Sequence, residues 1–457
     1  MIKYETNSKL VKPGQIFVAI KGARVDAHDL IDEAIKNGAS EAIVEREVES
    51  SIPITKVKDT KEFLKERLIE EYAEGLSEIK FIGVTGTNGK TTTCYLTYQL
   101  LQNLNTNVAY LGTIGFYHGD HFEELNNTTP DILSLYKLLF QAKENGAKYI
   151  VMEVSSHALA LERIAGLKYD VTGFTNLSQD HMDFHGTMEN YLNAKLLLVD
   201  YLKTEGTMIV NSDDERSIKF QEKANLSKSV GLNGDYKIIN HKTEGESTLI
   251  DMGYQAQSYQ IKTNLIGEFN VYNFLIALAL VHTLEFKIED IIEATKEVYP
   301  PSGRLQTITV GKGHAVVDYA HTPDAVEKII KECRKTSTGK IITIVGCGGD
   351  RDTSKRPIMG KLALENSDYV IFTNDNPRTE DPKLIMEDIL RSNEAAENYR
   401  VIFDRSEAII AGLDMIELGD KVLILGKGHE NYQTIGHENV HHDDAEIARN
   451  YHSRNFK

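Results

Sequence analysis

The apolar positions of this chain fall into short continuous runs separated by stretches with helical spacing. That is the pattern of strands buried on both faces between covering helices. The clearest run lies at 79–84, where Ile79, Phe81, Ile82 and Val84 predict a buried strand. A glycine-bearing loop follows over 85–90, and from Thr91 a helix is marked by Leu96, Leu100 and Leu104. Runs at 108–111, 149–154, 171–177 and 207–210, with helical stretches between them, predict a mostly parallel sheet. Residues from about 235 to 265 alternate polar and apolar, as over 258–265, and predict a small antiparallel insertion. An apolar helix is expected over 270–284, after Gly267.

The same reading extends to both sides. Upstream, a strand at 16–20 follows the Pro13-Gly14 turn, a helix over 29–37 stops at Gly38, and a second strand covers 41–44. A charged helix over 60–75 serves as a connector. Downstream, Pro300-Pro301 breaks the pattern. Strands at 315–319, 341–345, 369–373, 400–403 and 422–425 then alternate with helices, as in a doubly wound, Rossmann-like domain. The expectation is an α/β chain of three domains: a small α/β domain (1–77), a central parallel-sheet domain with a phosphate loop (78–300) and a doubly wound domain (301–457).

Length agrees with this division, because 457 residues are too many for one core. The formal net charge of −17 argues against a nucleic-acid partner, whose phosphates reward clustered Lys and Arg. An anionic substrate would need local positive groups that overcome the overall field. Cys94, Cys333 and Cys347 lie far apart, with neither disulfide-framework nor zinc spacing. The first twelve residues lack the apolar core of a signal peptide, and no apolar run approaches membrane-spanning length. The expected setting is a reducing cytoplasm, with no membrane partner, for a monomer acting on small molecules.

Candidate chemistry gathers at the strand ends. In 85–92, TGTNGKTT, a glycine loop joins a strand to a helix. Backbone N–H groups of Gly86, Thr87, Asn88, Gly89 and Thr92 and the helix N-terminus suit a polyphosphate. Lys90 adds charge, and the Thr91 hydroxyl suits Mg²⁺. Val84 stands where the usual phosphate-loop pattern has its first glycine, and Gly86 supplies the flexibility instead. Glu153 and His181 close two neighbouring strands and, with Thr91, could reach one Mg²⁺. Each also has a plainer reading, as a capping carboxylate or a hydrogen-bonded histidine. The run 180–185, DHMDFH, resembles a transition-metal cluster, but no thiolate or further histidine stands at helical spacing behind it, and zinc is not expected.

Lys195 is the most informative single residue. With Thr187 as N-cap, Met188, Tyr191, Leu192, Leu196, Val199 and Leu202 form an apolar stripe, and Lys195 falls in its middle. Such a lysine must snorkel, find a partner or lose its charge. The sharper reading is an amine chemically altered near the phosphate site. In the last domain, polar turns at 318–323, 346–352, 375–378 and 426–430 follow strands and share one sheet edge. Arg351 and Arg378 could each grip a carboxylate through two N–H bonds, and Asp375 and Glu430 could accept from an ammonium. Such a pocket suits a zwitterionic amino acid with more than one carboxylate. The alternative is that these arginines pair with Asp352 and Glu380.

Taken together, TGTNGKTT (85–92), NNTTP (126–130), EVSSHAL (153–159), NLSQDHMDFHG (176–186), GEFNVYN (267–273), SGR (302–304), DYAHTPDA (318–325), GCGGDRD (346–352), DNPR (375–378) and GKGHE (426–430) carry a family likeness over nearly the whole chain. The chain resembles the Mur ligases, ATP-dependent amide-forming enzymes of peptidoglycan synthesis, and most of all their MurE-type branch. The resemblance implies ATP as substrate, Mg²⁺ as cofactor and one domain each for UDP, ATP and the incoming amino acid. It implies that Lys90 and its loop hold the ATP phosphates, and that Asn270, Arg304, Asp318 and His321 contact the nucleotide. Thr91, Glu153 and His181 would ligate Mg²⁺. Ser8, Asn127, Thr128, Thr129, Ser155 and Arg163 would bind the UDP-muramoyl-peptide. Lys195 matches the lysine that the family carbamylates, giving an anionic ligand for a second Mg²⁺. Arg351, Asp375, Asn376, Pro377, Arg378, Gly426 and Glu430 would read the amino acid, and the DNPR form resembles the diaminopimelate-adding branch. Two departures stand out: Thr6-Asn7-Ser8-Lys9 where Asp-Ser-Arg is usual, and Leu161 where some relatives carry a polar residue. The rival readings are a folylpolyglutamate-synthase-like ligase and a phosphate-loop regulatory protein that makes no bond.

Overall fold

A computed structural model describes residues 2–22, 25–244, 247–391 and 396–456. Among them, eleven strands build one central sheet. Six neighbours at its heart run parallel, in the order Leu226–Gly231, Leu202–Asn211, Tyr169–Phe174, Lys80–Thr85, Tyr149–Glu153, Val108–Gly112. Lys80–Thr85 lies between Tyr169–Phe174 and Tyr149–Glu153, although the chain leaves it through the helix Lys90–Asn103 toward Val108–Gly112. This reversal of strand order opens a crevice at the carboxyl ends, the place where such sheets take ligands.

Each face of the sheet has its own core. One is covered by the helices Lys90–Asn103 and Glu268–Thr283, the second of which is buried almost all round, from Phe274 through Val281. The other packs on the helix Ile132–Glu144 and on Ile2, Tyr4, Val18 and Ile43 of the N-terminal unit. That unit is a four-stranded parallel sheet, Tyr4–Glu5, Ile16–Val18, Glu41–Val44 and Ile54–Lys56. The C-terminal unit is a six-stranded sheet in which Gly313–Asp318, Lys421–Leu425, Ile341–Val345, Tyr369–Phe372 and Tyr399–Val401 run parallel and Gln306–Val310 is antiparallel at the edge.

Three elements differ from the sequence expectation. Residues 235–265 are not a separate insertion. Tyr236–Glu244 pairs in parallel with Leu226–Gly231, and Ser247–Tyr254 and Gln257–Thr263 continue antiparallel from it, so they extend the central sheet. Alternation reports one-sided burial but not which sheet a strand joins. The charged helix over 60–75 is α-helical only over Thr60–Leu68, then widens to a π turn at Ile69–Ala73 and tightens to a 3-10 turn at Glu74–Leu76. There Tyr72 meets Phe140 edge-on and Gly75 passes the same ring, so packing overrides the helical period. The strand expected over 171–177 ends at Phe174, because Thr175 and Asn176 turn to bond the phosphate loop.

A buried ion pair ties the C-terminal helix to the last domain. Arg405 gives Nε to Asp444 Oδ1 at 2.9 Å and Nη2 to Oδ2 at 2.6 Å, with both side chains fully buried. Arg405 Nη2 also donates to the Leu425 carbonyl, and His442 stands 2.9 Å from Asp444 Oδ1. Burial works against ionisation of Asp444, but the Arg405 charge and the bonds from Arg405 and His442 outweigh it and hold the carboxyl well below its ordinary value. Arg405→Met is expected to destabilise the fold by about 3–5 kcal/mol in urea titrations, since it strands a buried charge. A depressed carboxyl pKa gives stability that is present above the ordinary value of 3.8 and lost as pH falls below it. Wild-type stability should therefore decline below that pH, and the gap to Arg405→Met should narrow.

Candidate active site

The loop between Lys80–Thr85 and Lys90–Asn103 folds as its glycines require. Gly86 has φ +149°, and a Cβ there would stand 1.9 Å from Thr175 Oγ1. Gly89 has φ +85°, with Asn273 Oδ1 only 2.3 Å from the corresponding position. Neither site accommodates a side chain without displacing its neighbour. Gly89 directly precedes the helix, so the first helical N–H groups face the crevice with no side-chain cap. Lys90 folds back over the loop, its Nζ donating to the Gly86 carbonyl at 2.9 Å and the Thr87 carbonyl at 2.8 Å.

Glu153 is the hub beneath that loop. It is wholly buried and accepts from Thr91 Oγ1 at 2.9 Å, Tyr110 Oη at 2.7 Å and the Thr113 N–H at 2.8 Å. Thr113 Oγ1 adds a bond at 3.1 Å and is itself paired with Thr128 Oγ1. Thr129 Oγ1 donates to the Glu153 carbonyl and accepts from the Ser155 N–H, and Arg163 Nη1 donates to the Thr129 carbonyl at 2.9 Å. Thr128 thus reaches the carboxylate through Thr113, while Thr129, Ser155 and Arg163 are linked to the Glu153 main chain. Asn127 is exposed at their edge. Ser8 lies apart: it is buried in the N-terminal unit, where its hydroxyl donates to Glu33 and its carbonyl accepts from Asn37.

Lys195 neither snorkels nor finds a carboxylate. It is 1% exposed, its Nζ lies 2.7 Å from the Gly86 carbonyl, and the Tyr191 ring centroid is 4.3 Å away. Burial, then the nearby Lys90 charge, pulls the amine well below its ordinary value, with Asp180 opposing. His181 sits in the left-handed region at φ 56°, just before the short helix Met182–His185. Burial pushes its imidazole down to about 3 despite Asp180, leaving it neutral and able to act as a ligand. Of the three side chains expected to ligate Mg²⁺, the Thr91 hydroxyl and the Glu153 carboxylate offer the oxygens that ion prefers, and neutral His181 offers a nitrogen. Among the described residues no group of three or more His, Cys, Asp or Glu side chains is placed to hold a metal.

A cavity of about 590 Å³ opens over these groups, between the central and C-terminal units. Its floor is Thr87–Thr92 with Glu153 and His181, and Thr128 and Ser155 reach its wall. Asn270, on the helix Glu268–Thr283, lines it from the same domain. Arg304, Asp318 and His321 line it from across the boundary. Arg304 Nη2 donates to Thr91 Oγ1 at 3.1 Å, and its guanidinium lies 4.5 Å from the Tyr319 ring centroid. Asp318 accepts from the Leu305 and Ala320 N–H groups, and burial raises its carboxyl.

The polar turns of the C-terminal sheet form a second cluster outside that lining. Arg378, at φ 51°, gives Nη1 to the Gly349 carbonyl at 2.8 Å, and Arg351 gives Nη1 to the Asp350 carbonyl. Among the described residues neither guanidinium has a carboxylate within ion-pair distance. Glu380 pairs instead with the buried Arg356, which also takes Asp388. Glu430 is already engaged: the buried Lys427 lies 2.8 Å from its Oε2, and Asn376 Nδ2 donates to the same oxygen at 3.0 Å. Lys427 also donates to Asn376 Oδ1 at 2.9 Å. The Asp375 carbonyl accepts from Gln433, the Arg378 N–H bonds the Thr434 carbonyl, and Gly426 passes close to the Asp375 carboxylate. Pro377 is buried between these turns.

Sequence reasoning passed over Tyr110, Thr113, Asp180, Lys355 and Lys427. Asp180 and Lys427 stand inside motifs already singled out, so their positions were visible. Tyr110, Thr113 and Lys355 carry no local signal, because their partners lie 40 or more residues away.

A glycine phosphate loop on a parallel sheet, with two further α/β units of which the C-terminal one closes the crevice, defines a three-part nucleotide-dependent ligase architecture. The chain belongs to the Mur ligase family. It matches the family catalytic domain over 4–79, the Mur ligase middle domain over 84–281 and the Mur ligase glutamate ligase domain over 303–428. It is similar to UDP-N-acetylmuramoyl-L-alanyl-D-glutamate–2,6-diaminopimelate ligases of Aquifex aeolicus (39% identical, 97% of this chain and 92% of that one). The corresponding protein of Fusobacterium nucleatum is 40% identical over the same shares of the two chains. A solved structure of a ligase of that name superimposes with a TM-score of 0.67 at 31% identity, covering 99% of this chain and 95% of its own.

Gly86→Ala would drive a methyl into Thr175 and disturb the carbonyl that both Lys90 and Lys195 use. It is expected to weaken ADP binding by about tenfold or more in calorimetric titration, with the far-ultraviolet circular dichroism unchanged.

Proposed function

We propose that this protein is an ATP-dependent amide ligase that adds meso-2,6-diaminopimelate to UDP-N-acetylmuramoyl-L-alanyl-D-glutamate, in cytoplasmic synthesis of a peptidoglycan precursor, and that it works as a monomer. The observation that carries this reading is convergence. The phosphate loop and the Thr91–Glu153 pair line one cavity, which Arg304, Asp318 and His321 complete from the next domain, and the buried Lys195 amine reaches the loop from behind through the Gly86 carbonyl. The names of the similar full-length relatives support the choice of substrates.

In the proposed sequence an oxygen of the D-glutamate side-chain carboxylate attacks the γ-phosphorus of ATP. The bond from that phosphorus to the bridging oxygen breaks, and ADP leaves. The resulting acyl phosphate is an electrophile, which a carboxylate is not. The diamino acid, having lost a proton from its ammonium, attacks the acyl carbon, and phosphate departs with the electrons of the carbon–oxygen bond. Gly86–Thr92 and Lys90 hold the phosphates, and Asn270, Arg304, Asp318 and His321 hold the rest of the nucleotide. Thr91, Glu153 and His181 would hold Mg²⁺, which supplies charge neutralisation between the two anions. The Lys195 amine, whose proton is weakened by burial, is suited to take up CO₂ once deprotonated: its lone pair forms the nitrogen–carbon bond, a proton is released, and a carbamate anion remains that would serve as a further ligand. Thr128, Thr129, Ser155 and Arg163, with Asn127 and Ser8 more distantly, bind the UDP-muramoyl-peptide. Arg351 and Arg378, open to a carboxylate, read the far end of the amino acid with Asn376 and Glu430. Domain closure keeps water from the acyl phosphate.

Phosphate release is expected only when ATP, the muramoyl dipeptide and the amino acid are all present, with diaminopimelate preferred over lysine and meso-lanthionine. ATP turnover indifferent to both partners would point to a regulatory protein instead. Lys195→Ala should lose about 10²–10³-fold in kcat and regain part of it with added acetate, a readout that a packing defect would not share. Arg378→Ala should shift the diaminopimelate-to-lysine ratio of kcat/KM by about 10²-fold toward lysine, as expected for a lost charge-paired bond.

A further inference from the structure

Two consecutive residues of the central unit dock on two consecutive residues of the C-terminal unit, at the edge of the cavity. Lys355 Nζ lies 3.2 Å from Asp180 Oδ1, and Gln179 Nε2 donates to Ser354 Oγ at 3.2 Å. Both members of the ion pair are nearly inaccessible, with side chains 9% and 6% exposed. Ser354 is in turn fixed to its own loop, its N–H and Oγ both bonding Asp352 Oδ1, at 2.9 and 2.5 Å. Residues 352–355 directly follow Arg351, at the end of the turn 346–352. Residues 179–180 directly precede His181.

We infer that Lys355 is a positioning residue: through its buried ion pair with Asp180 it locks the loop carrying Arg351 against the phosphate site. The lock stands on geometry alone, whereas its use in amide formation rests on the ligase reading above. Asp180 lines the cavity and, left unpaired, would set a buried negative charge beside a polyphosphate. Lys355 cancels that charge only when the domains are together, because both groups hydrate once the domains part. Closure and neutralisation of the site are therefore one event. Further cross-boundary bonds, among them Asn88 to Asp324, Thr322 to Asn88, Arg304 to Thr91 and Lys335 to Glu268, do not touch the Arg351 loop. Lys355 with Ser354 couples the amino-acid end to the chemistry. His181 and His321 also face Asp180, with nitrogens 3.3 and 3.8 Å from its Oδ2, but neither belongs to that loop.

The test uses full-length Lys355→Met, Lys355→Arg, Asp180→Asn and the Lys355→Met/Asp180→Asn double variant, each first checked for folding by circular dichroism. With ADP bound, small-angle scattering should give Lys355→Met a larger radius of gyration than wild type, and Lys355→Arg the wild-type value. In turnover, Lys355→Met should lose about 10²-fold in kcat, the scale of an ångström-sized misplacement, while the KM for the muramoyl dipeptide stays within a few fold. The double variant should be no worse than Lys355→Met, because the two residues act as one pair. A Lys355→Met variant with the wild-type radius, or losses that multiply in the double variant, would overturn the lock. If wild type itself shows no amino-acid-dependent turnover, the ligase reading fails, and the ADP-bound scattering comparison still decides whether the lock exists.

Discussion

Two lysine amines share one carbonyl oxygen. Lys90 Nζ and Lys195 Nζ stand 2.9 and 2.7 Å from the oxygen of Gly86. Two ammonium groups cannot both stay charged at that separation inside a protein without anions to balance them. Burial lowers both amines; at Lys90 Glu153 and Asp180 oppose it, whereas at Lys195 the Lys90 charge adds to it and Asp180 alone opposes, so Lys195 is lowered the further. Lys195 is therefore the amine that gives up its proton more readily, and Lys90 the one that holds it. Both amines meet at Gly86, whose φ of +149° and lack of room for a Cβ beside Thr175 suit glycine alone.

The sheet explains why so much meets there. Lys80–Thr85, Tyr149–Glu153 and Tyr169–Phe174 are adjacent and parallel, so their carboxyl ends bring the phosphate loop, Glu153 and the Thr175–His181 segment together without any long loop. Thr175 and Asn176 then bond the Asn88 carbonyl and Thr87 Oγ1 accepts from the Ser178 N–H, which makes the crevice rigid on both sides. A rigid floor suits a site in which three substrates must line up. The C-terminal unit reaches that floor through side chains rather than through shared strands.

Much of this was legible in the sequence because it depends on local pattern. Short apolar runs placed the parallel strands, Thr187 marked the start of the Met188–Leu196 helix, and Lys195 declared itself by interrupting an apolar stripe. What was not legible depends on distant partners. Asp180 and Lys355 are 175 residues apart, and neither is unusual in its own neighbourhood. The antiparallel strands over 236–263 alternate as any half-buried strand does, so nothing local told them from an insertion. The π turn at Ile69–Ala73 answers to Phe140 on another helix. Glu430 was read as free to accept an ammonium, yet Lys427, three residues before it, already occupies one of its oxygens.

That last point sharpens how an acidic protein can hold acidic substrates. The chain carries a formal charge of −17, so its cations would ordinarily be spent on its own carboxylates. In the C-terminal unit the pairing is selective. Arg356, fully buried, takes both Glu380 and Asp388, and Arg405 takes Asp444. Glu380 is the carboxylate nearest in sequence to Arg378, and Arg356 removes it from competition. Arg378, held in a left-handed conformation by bonds to the strand Tyr432–Ile435, and Arg351 at its exposed turn are left with carbonyl partners. A guanidinium bonded to a neutral carbonyl keeps most of its attraction for a carboxylate, whereas one already paired does not. The buried arginines thus leave Arg351 and Arg378 unpaired by Glu380 or Asp388.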